Sequence, residues 1–316
     1  MLSKLDEFKL LLKMDADYMP AEYENDLFHY TSPTGFSSIM SGDLEQVTLW
    51  ASRYDCLNDA SEGTVVEEVY QEVCKELRDR DEITEYLYQL FIKVKTARTI
   101  LLSYNKDEKI KITRPECDRY LCPFSKNKDS LAMWNYYSKG NKYEGFNIGF
   151  YPYSIKESLK KLLGDKEAEF HIYPVIYSRS EQKRLIEKML LKLRDNYDKE
   201  QESSIRYIIS NRLSEWRLVF KYEFFQHEEE VRIIVDVAKR EKKLPVKHRM
   251  NAGYIVPYIV PYIELKLEKC DVSYVNFGPL QCDVEQKKHQ VSVMEEMLES
   301  KGYSALVDYS HIPVRY

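Results

Sequence analysis

The chain has 316 residues, enough for one large domain or two modest ones, and its 44% hydrophobic and 31% charged content is that of an ordinary soluble globule. Net charge is −5 and the pI is about 5.8, which argues against a generic nucleic-acid binder, because affinity for phosphate backbones comes largely from Lys and Arg. None of the six cysteines forms a Cys-x-x-Cys pair and the six histidines are scattered, so no zinc pattern is expected; reduced thiols in a cytoplasmic compartment are the simplest reading.

In chain order, residues 2–14 read as a short amphipathic helix rather than a signal peptide. Residues 26–31 form a short strand, and Ser32-Pro33-Thr34 caps a helix through Met40. Residues 47–52 alternate as a strand and lead into a turn, 54–63. Two helical runs, 62–80 and 82–103, carry apolar positions such as Val65, Val66, Val69, Val73 and Leu77, then Ile83, Leu87 and Phe91. A charged connector spans 105–116. A strand at 120–125 precedes a helix capped by Asp129-Ser130 that runs through Tyr137. Another strand covers 143–150, with Gly145 and Gly149 allowing close backbone approach.

Ser154 is positioned to cap a helix over 155–163, which Gly164 ends. A strand at 171–177 is followed by a helical stretch, 180–219, broken near Asp195. Residues 230–237 form a strand with Ile233 and Val235 on one face. The basic stretch from Lys239 to Arg249 reads as a solvated hairpin tip. Pro257 and Pro261 cannot donate to a ladder, so 254–263 is an edge strand or an extended loop. A strand at 272–277, a helix at 285–300 and a strand at 303–308 complete the chain. No run of about 18 apolar residues exists, so no membrane span is expected. No linker stands out. The elements predict an α+β fold with a mixed, largely antiparallel sheet, as one domain over residues 1–316 with helical insertions at 62–103 and 180–219.

Three clusters are candidates for chemistry. His29 lies in the first strand between apolar Phe28 and Tyr30-Thr31, as a hydrogen-bonded core residue or a ligand contact. Trp134 and Tyr137, three apart, share a helix face as core or as a stacking platform. Glu228 to Arg232 opens a strand, so Glu228, Glu230 and Arg232 point to one face, as a structural pair or as a carboxylate aimed at developing positive charge. Ser52, Tyr54 and Asn58 lie beside a turn whose bland role is helix capping.

The motifs His29-Tyr30, Asn58-Asp59-Ala60-Ser61-Glu62, Cys122-Pro123-Phe124-Ser125, Met133-Trp134-Asn135-Tyr136-Tyr137, Glu228 to Arg232 and Ser310 to Arg315 resemble, in order, those of a bacterial domain family of unassigned function. Two departures stand out: Ala60-Ser61 replaces a usual Pro-Phe, and Pro123 is inserted between Cys122 and Phe124. More distantly, His29-Tyr30-Thr31 and Glu230 resemble the His-x-Thr strand and late-strand Glu of His-Tyr-Glu ADP-ribosyltransferases.

That resemblance implies an ADP-ribosyltransferase-like sheet and NAD as co-substrate. It implies Glu230, or Glu228, as the catalytic carboxylate. His29, Tyr30, Thr31, Ser52, Tyr54, Asn58, Ser125, Trp134, Tyr137 and Arg232 would contact the cofactor. Tyr54, Tyr136 and Tyr137 compete for the nicotinamide-stacking role. Loss of nicotinamide builds positive charge on the ribose, which a fixed carboxylate stabilises. On this reading Glu230→Gln abolishes turnover and leaves the fold intact. The acceptor would be a protein or a nucleic acid, the setting a toxin or phage-defence effector, and a partner or antitoxin protein would fit that setting. The alternatives are an NAD glycohydrolase on the same scaffold and a non-catalytic nucleotide- or protein-binding module.

Overall fold

Strands of alternating apolar residues build the framework. In the computed structural model, residues 18–40, 46–57, 63–95, 117–137, 144–199, 202–251, 258–279 and 282–313 are described. Among them, β1 (Leu27–Thr31), β2 (Gln46–Arg53), β3 (Cys117–Ser125), β4 (Phe146–Phe150), β5 (Ala168–Pro174), β6 (Glu230–Ala238), β7 (Lys247–Asn251), β8 (Tyr258–Glu268), β9 (Val272–Phe277) and β10 (Leu306–Tyr309) form one ten-stranded sheet. Its main path runs β10-β9-β4-β1-β3-β2-β8-β7, while β6 pairs with β3 and β5. β9 and β10 are parallel; the other strand pairs are antiparallel. The fold is α+β with a mixed, mostly antiparallel sheet, and helices cover both faces.

Period-2 alternation sends each strand's residues to two cores. On one face Val47, Leu49, Ala51, Phe124, Ile148, Val231, Ile233 and Leu265 pack under α1 (Pro33–Met40), α5 (Pro152–Leu163) and α8 (Val284–Ser300). On the other, Leu121 and Ile234 meet α2 (Thr64–Asp79), α3 (Glu85–Phe91), α6 (Arg179–Asp195) and α7 (Glu202–Trp216). α4 (Leu131–Tyr137) lies on this second face farther along, where Tyr30, Met133 and Trp134 cluster with Phe28 and Ile312.

Several boundaries differ from the sequence pattern. α5 starts at Pro152, which suits the first helical position because its missing N–H is not needed there, so Ser154 lies inside the helix. α3 is a short helix capped by Thr84, whose hydroxyl accepts from the Leu87 N–H at 3.2 Å. The 171–177 strand is displaced to Ala168–Pro174, and the last strand is Leu306–Tyr309. Of residues 254–263, 258–263 are described and open β8, which lies between β2 and β7. Its pairing with β2 stops at Tyr262, so Pro261 has only His248 of β7 opposite it, and its missing N–H is tolerated. The predicted helix at 2–14, the 58–62 turn and the 105–116 connector lie outside the described residues.

Candidate functional site

The sheet opens in the middle of β3. β6 pairs with β3 along its whole length, from Cys117 opposite Ala238 to Ser125 opposite Glu230, and takes one edge. β1 and β2 must therefore share the other. β2 meets it at Tyr120 and Leu121, β1 at Ser125, and Cys122 to Phe124 have no ladder partner on that side. Pro123 sits at the centre of this notch and is half-buried. Its carbonyl accepts from His29 Nδ1 at 3.1 Å, so that edge is also where an N–H would point. Proline removes the donor that the notch would orphan.

β1 and β2 supply the two lips. His29 is half-buried, its ring set edge-on to Phe124 at 5.5 Å. Burial pushes its pKa below the ordinary 6.5, and the Pro123 carbonyl, which favours an N–H, only partly opposes this. The imidazole is thus neutral at pH 7, with Nδ1–H committed and Nε2 left as an acceptor. A His with a depressed folded pKa contributes stability above its unfolded pKa, and that contribution is lost as pH falls through the histidine range. Urea midpoints are expected to drop between about pH 7.5 and 5.5, and to drop less in His29→Gln. Equal drops would remove His29 from the acid response.

Thr31 is buried, and a β-carbon on Gly35 would collide with its hydroxyl. Helix propensity alone would favour Gly35→Ala by about 1 kcal/mol. Overpacking costs about 1–3 kcal/mol, so a lower melting temperature is expected, and a higher one would show that Thr31 yields.

On the opposite lip, Ser52 is buried and its hydroxyl accepts from Arg249 Nη2 of β7 at 3.0 Å. Tyr54 opens a 3-10 turn (Tyr54–Cys56), half-buried beneath the Arg217 guanidinium at 5.9 Å. Asn58 lies outside the described residues.

Beside the notch stands an ion cluster. Arg232 grips Glu230 with both forks, Nε to Oε1 at 2.8 Å and Nη2 to Oε2 at 2.9 Å, and its Nη1 donates to the Leu218 carbonyl at 2.9 Å. Lys221 Nζ bridges Glu228 Oε2 at 2.7 Å and Glu230 Oε2 at 3.2 Å. The Glu230 N–H donates to Tyr177 Oη at 2.9 Å. Burial raises the Glu230 carboxyl, but Arg232 and Lys221 outweigh it and hold the pKa below the ordinary value. For Glu228 burial wins over Lys221 and the pKa is raised.

Glu228 does not belong to the strand. It ends a 3-10 turn (Glu223–Glu228), and Glu229 adopts a left-handed φ of 46°. Lys221, not strand alternation, unites the two carboxylates. Ser125 Oγ donates to the Glu228 carbonyl at 2.8 Å, and Asn127 Nδ2 donates to Glu229 Oε1 at 2.9 Å.

Trp134 and Tyr30 prove to be core. Their rings meet edge-on at 4.7 Å, and Trp134 Nε1 donates to Asp129 Oδ1 at 2.8 Å. The Tyr30 hydroxyl donates to the Asn127 carbonyl at 2.8 Å and accepts from the Ser130 N–H at 2.9 Å. Tyr137 stays 37% exposed, its ring 6.5 Å from that of Tyr30, so of the three it is the one that solvent reaches. The tail joins the same corner, where the His311 N–H donates to Asp129 Oδ2 at 3.1 Å.

The structure therefore gathers Tyr30, Ser125, Trp134, Tyr137, Glu228, Glu230 and Arg232 on one side. It does not bring His29 face to face with Glu230. Phe28, Ser125 and Glu230 lie opposite one another across three strands and share a face; His29, next to Phe28, and Thr31 point to the other. The expected imidazole and carboxylate facing each other across one cleft are not formed, and His29 reaches the notch through the strand edge. Arg249 was not among the sequence candidates. Among the described residues, no group of three or more His, Cys, Asp or Glu is placed to hold a metal ion, and no helix is long and apolar enough to cross a membrane.

Residues 133–233 match a family described as a protein of unknown function, DUF2971. The matched span carries Met133, Trp134, Tyr137, Glu228, Glu230 and Arg232, and the family's description assigns no activity. Neither a curated protein nor a solved structure matches the chain.

Proposed function

We propose that this chain binds NAD at the β3 notch and transfers its ADP-ribose to a protein or nucleic-acid acceptor, the chemistry of a toxin or phage-defence effector. One observation carries the reading: β3 has no ladder partner at Pro123, between a neutral imidazole and Ser52. Ser125, which holds the Glu228 backbone, is only two residues farther along β3, about 7 Å. A dinucleotide spans such a distance. His29 Nε2 would accept from a ribose hydroxyl. Glu228 would face the positive charge that develops as nicotinamide leaves, because both oxygens of Glu230 are already engaged.

That engagement of Glu230 also favours a second reading, binding without turnover. Calorimetry with NAD, followed by chromatography for nicotinamide and mass spectrometry of candidate acceptors, separates the outcomes. Nicotinamide with a modified acceptor supports the transferase, and nicotinamide with free ADP-ribose alone makes water the acceptor. Heat without nicotinamide supports the binder, and no heat at all retires the site.

A further inference from the structure

The outer half of the sheet carries a second feature next to the notch. β2, β8 and β7 place Trp50, Ser52, Tyr262, Glu264, Lys247 and Arg249 on one face, since Ser52 lies opposite Tyr262, Trp50 opposite Glu264, and Lys247 opposite Tyr262. This is the face that carries Leu121; on it Ser52 and Tyr262 are buried, while Trp50 is 41% exposed. The Tyr262 ring packs on Trp50 at 4.6 Å, and the Arg249 guanidinium stands 5.6 Å from the Trp50 ring centre.

Arg249 is held without being neutralised. Its Nη2 donates to Ser52, while its Nε is buried with no hydrogen-bond partner. Among the described residues no carboxylate lies within ion-pair distance of it. Its neighbours in the basic stretch are paired: Arg240 with Glu167 at 2.5 Å, Lys243 with Asp165 at 3.1 Å and Lys247 with Glu264 at 2.7 Å. A guanidinium fixed by a hydroxyl and a ring, with no carboxylate beside it among the described residues, is a preorganised receptor for an anion, and its planar fork suits phosphate. An exposed indole beside it offers an apolar face to a base.

We propose that Trp50, Ser52 and Arg249 form a nucleoside-diphosphate subsite in which Arg249 binds a phosphate and Trp50 stacks the base. Ser52, opposite Leu121, is two β3 residues from Pro123, so the subsite is continuous with the notch. The inference rests on the NAD reading for the identity of the arriving ligand, and it assigns the ADP half to this face.

The chain has three tryptophans, and Trp134 and Trp216 are fully buried, so Trp50 is the fluorophore that reports ligand at the surface. Titration with ADP is expected to quench emission saturably. Arg249→Met and Arg249→Lys are each expected to weaken ADP by about 10- to 100-fold, because a charge-assisted hydrogen bond is lost or loses its fork. Trp50→Leu should abolish the quench and weaken the calorimetric affinity. Circular dichroism melts establish that each variant is folded.

No saturable quench and no heat with ADP overturns the subsite, as does unchanged affinity in both Arg249 variants. Inorganic pyrophosphate binding as tightly as ADP overturns the base-stacking part. ADP binding with no nicotinamide release from NAD keeps this inference and removes the catalytic reading. Nicotinamide release without ADP binding does the reverse.

Discussion

Replacing Arg232 with methionine is expected to lower the unfolding free energy by about 3–5 kcal/mol, the usual consequence of removing one partner from a buried ion pair. The side chains of Arg232 and Glu230 are 2% and 9% exposed, so water cannot take over the lost contacts. Lys221 still touches Glu230 Oε2, but Oε1 loses its donor, and so does the Leu218 carbonyl. The penalty is one of an orphaned charge, not of a missing attraction. A double variant, Arg232→Met with Glu230→Leu, should therefore recover most of the loss, with Lys221 retained by Glu228. Urea denaturation of the four corners of this cycle gives the answer. A single-variant loss below about 1 kcal/mol would mean that the site hydrates or relaxes.

The same geometry revises what Glu230→Gln should do. Charge neutralisation leaves Arg232 and Lys221 facing a neutral amide, so stability falls as well as any activity. The carboxyl is held below its ordinary 4.5, so it contributes stability above the normal carboxylate range and loses it as pH falls through the depressed folded value.

Much of this framework is written in the sequence, because alternation in residues such as Val47, Leu49 and Ala51 or Ile233 and Val235 needs no distant information. The site is less legible. Pro123 was visible as an insertion in a strand motif, and a proline in a central strand is a signal that one edge is open. What sequence does not disclose is that β1 and β2 share that edge. Glu228 was placed on the face of Glu230 by assuming a strand, and the left-handed Glu229 breaks that alternation. The face on which His29 lies depends on the register of Phe28 with Ser125, which its residue type and order do not disclose. Arg249 looked like any member of a basic run; it differs because Glu167, Asp165 and Glu264, remote in the chain, neutralise its neighbours.

Glu228→Gln provides the sharpest separation of structure from chemistry. If Glu228 faces the ribose of NAD, its loss is expected to slow nicotinamide release by about 100- to 1000-fold, about 3–4 kcal/mol of barrier, as for other preorganised groups aimed at a charged transition state. Its effect on folding should be small. The side chain is 20% exposed, and Lys221 keeps Glu230 as a partner when the Glu228 charge is gone. Glutamine retains the shape and one acceptor oxygen. The pH profile carries a second signature. Burial raises the Glu228 pKa, so the ionised form that the mechanism needs is lost on acidification earlier than an ordinary carboxylate would be, and the acidic limb of activity should lie above 4.5. Wild-type release by Glu228→Gln would remove that carboxylate from the chemistry. An active Glu228→Gln together with a folded but inactive Glu230→Gln would transfer the role to Glu230, and would require Arg232 to release one of its oxygens when NAD binds.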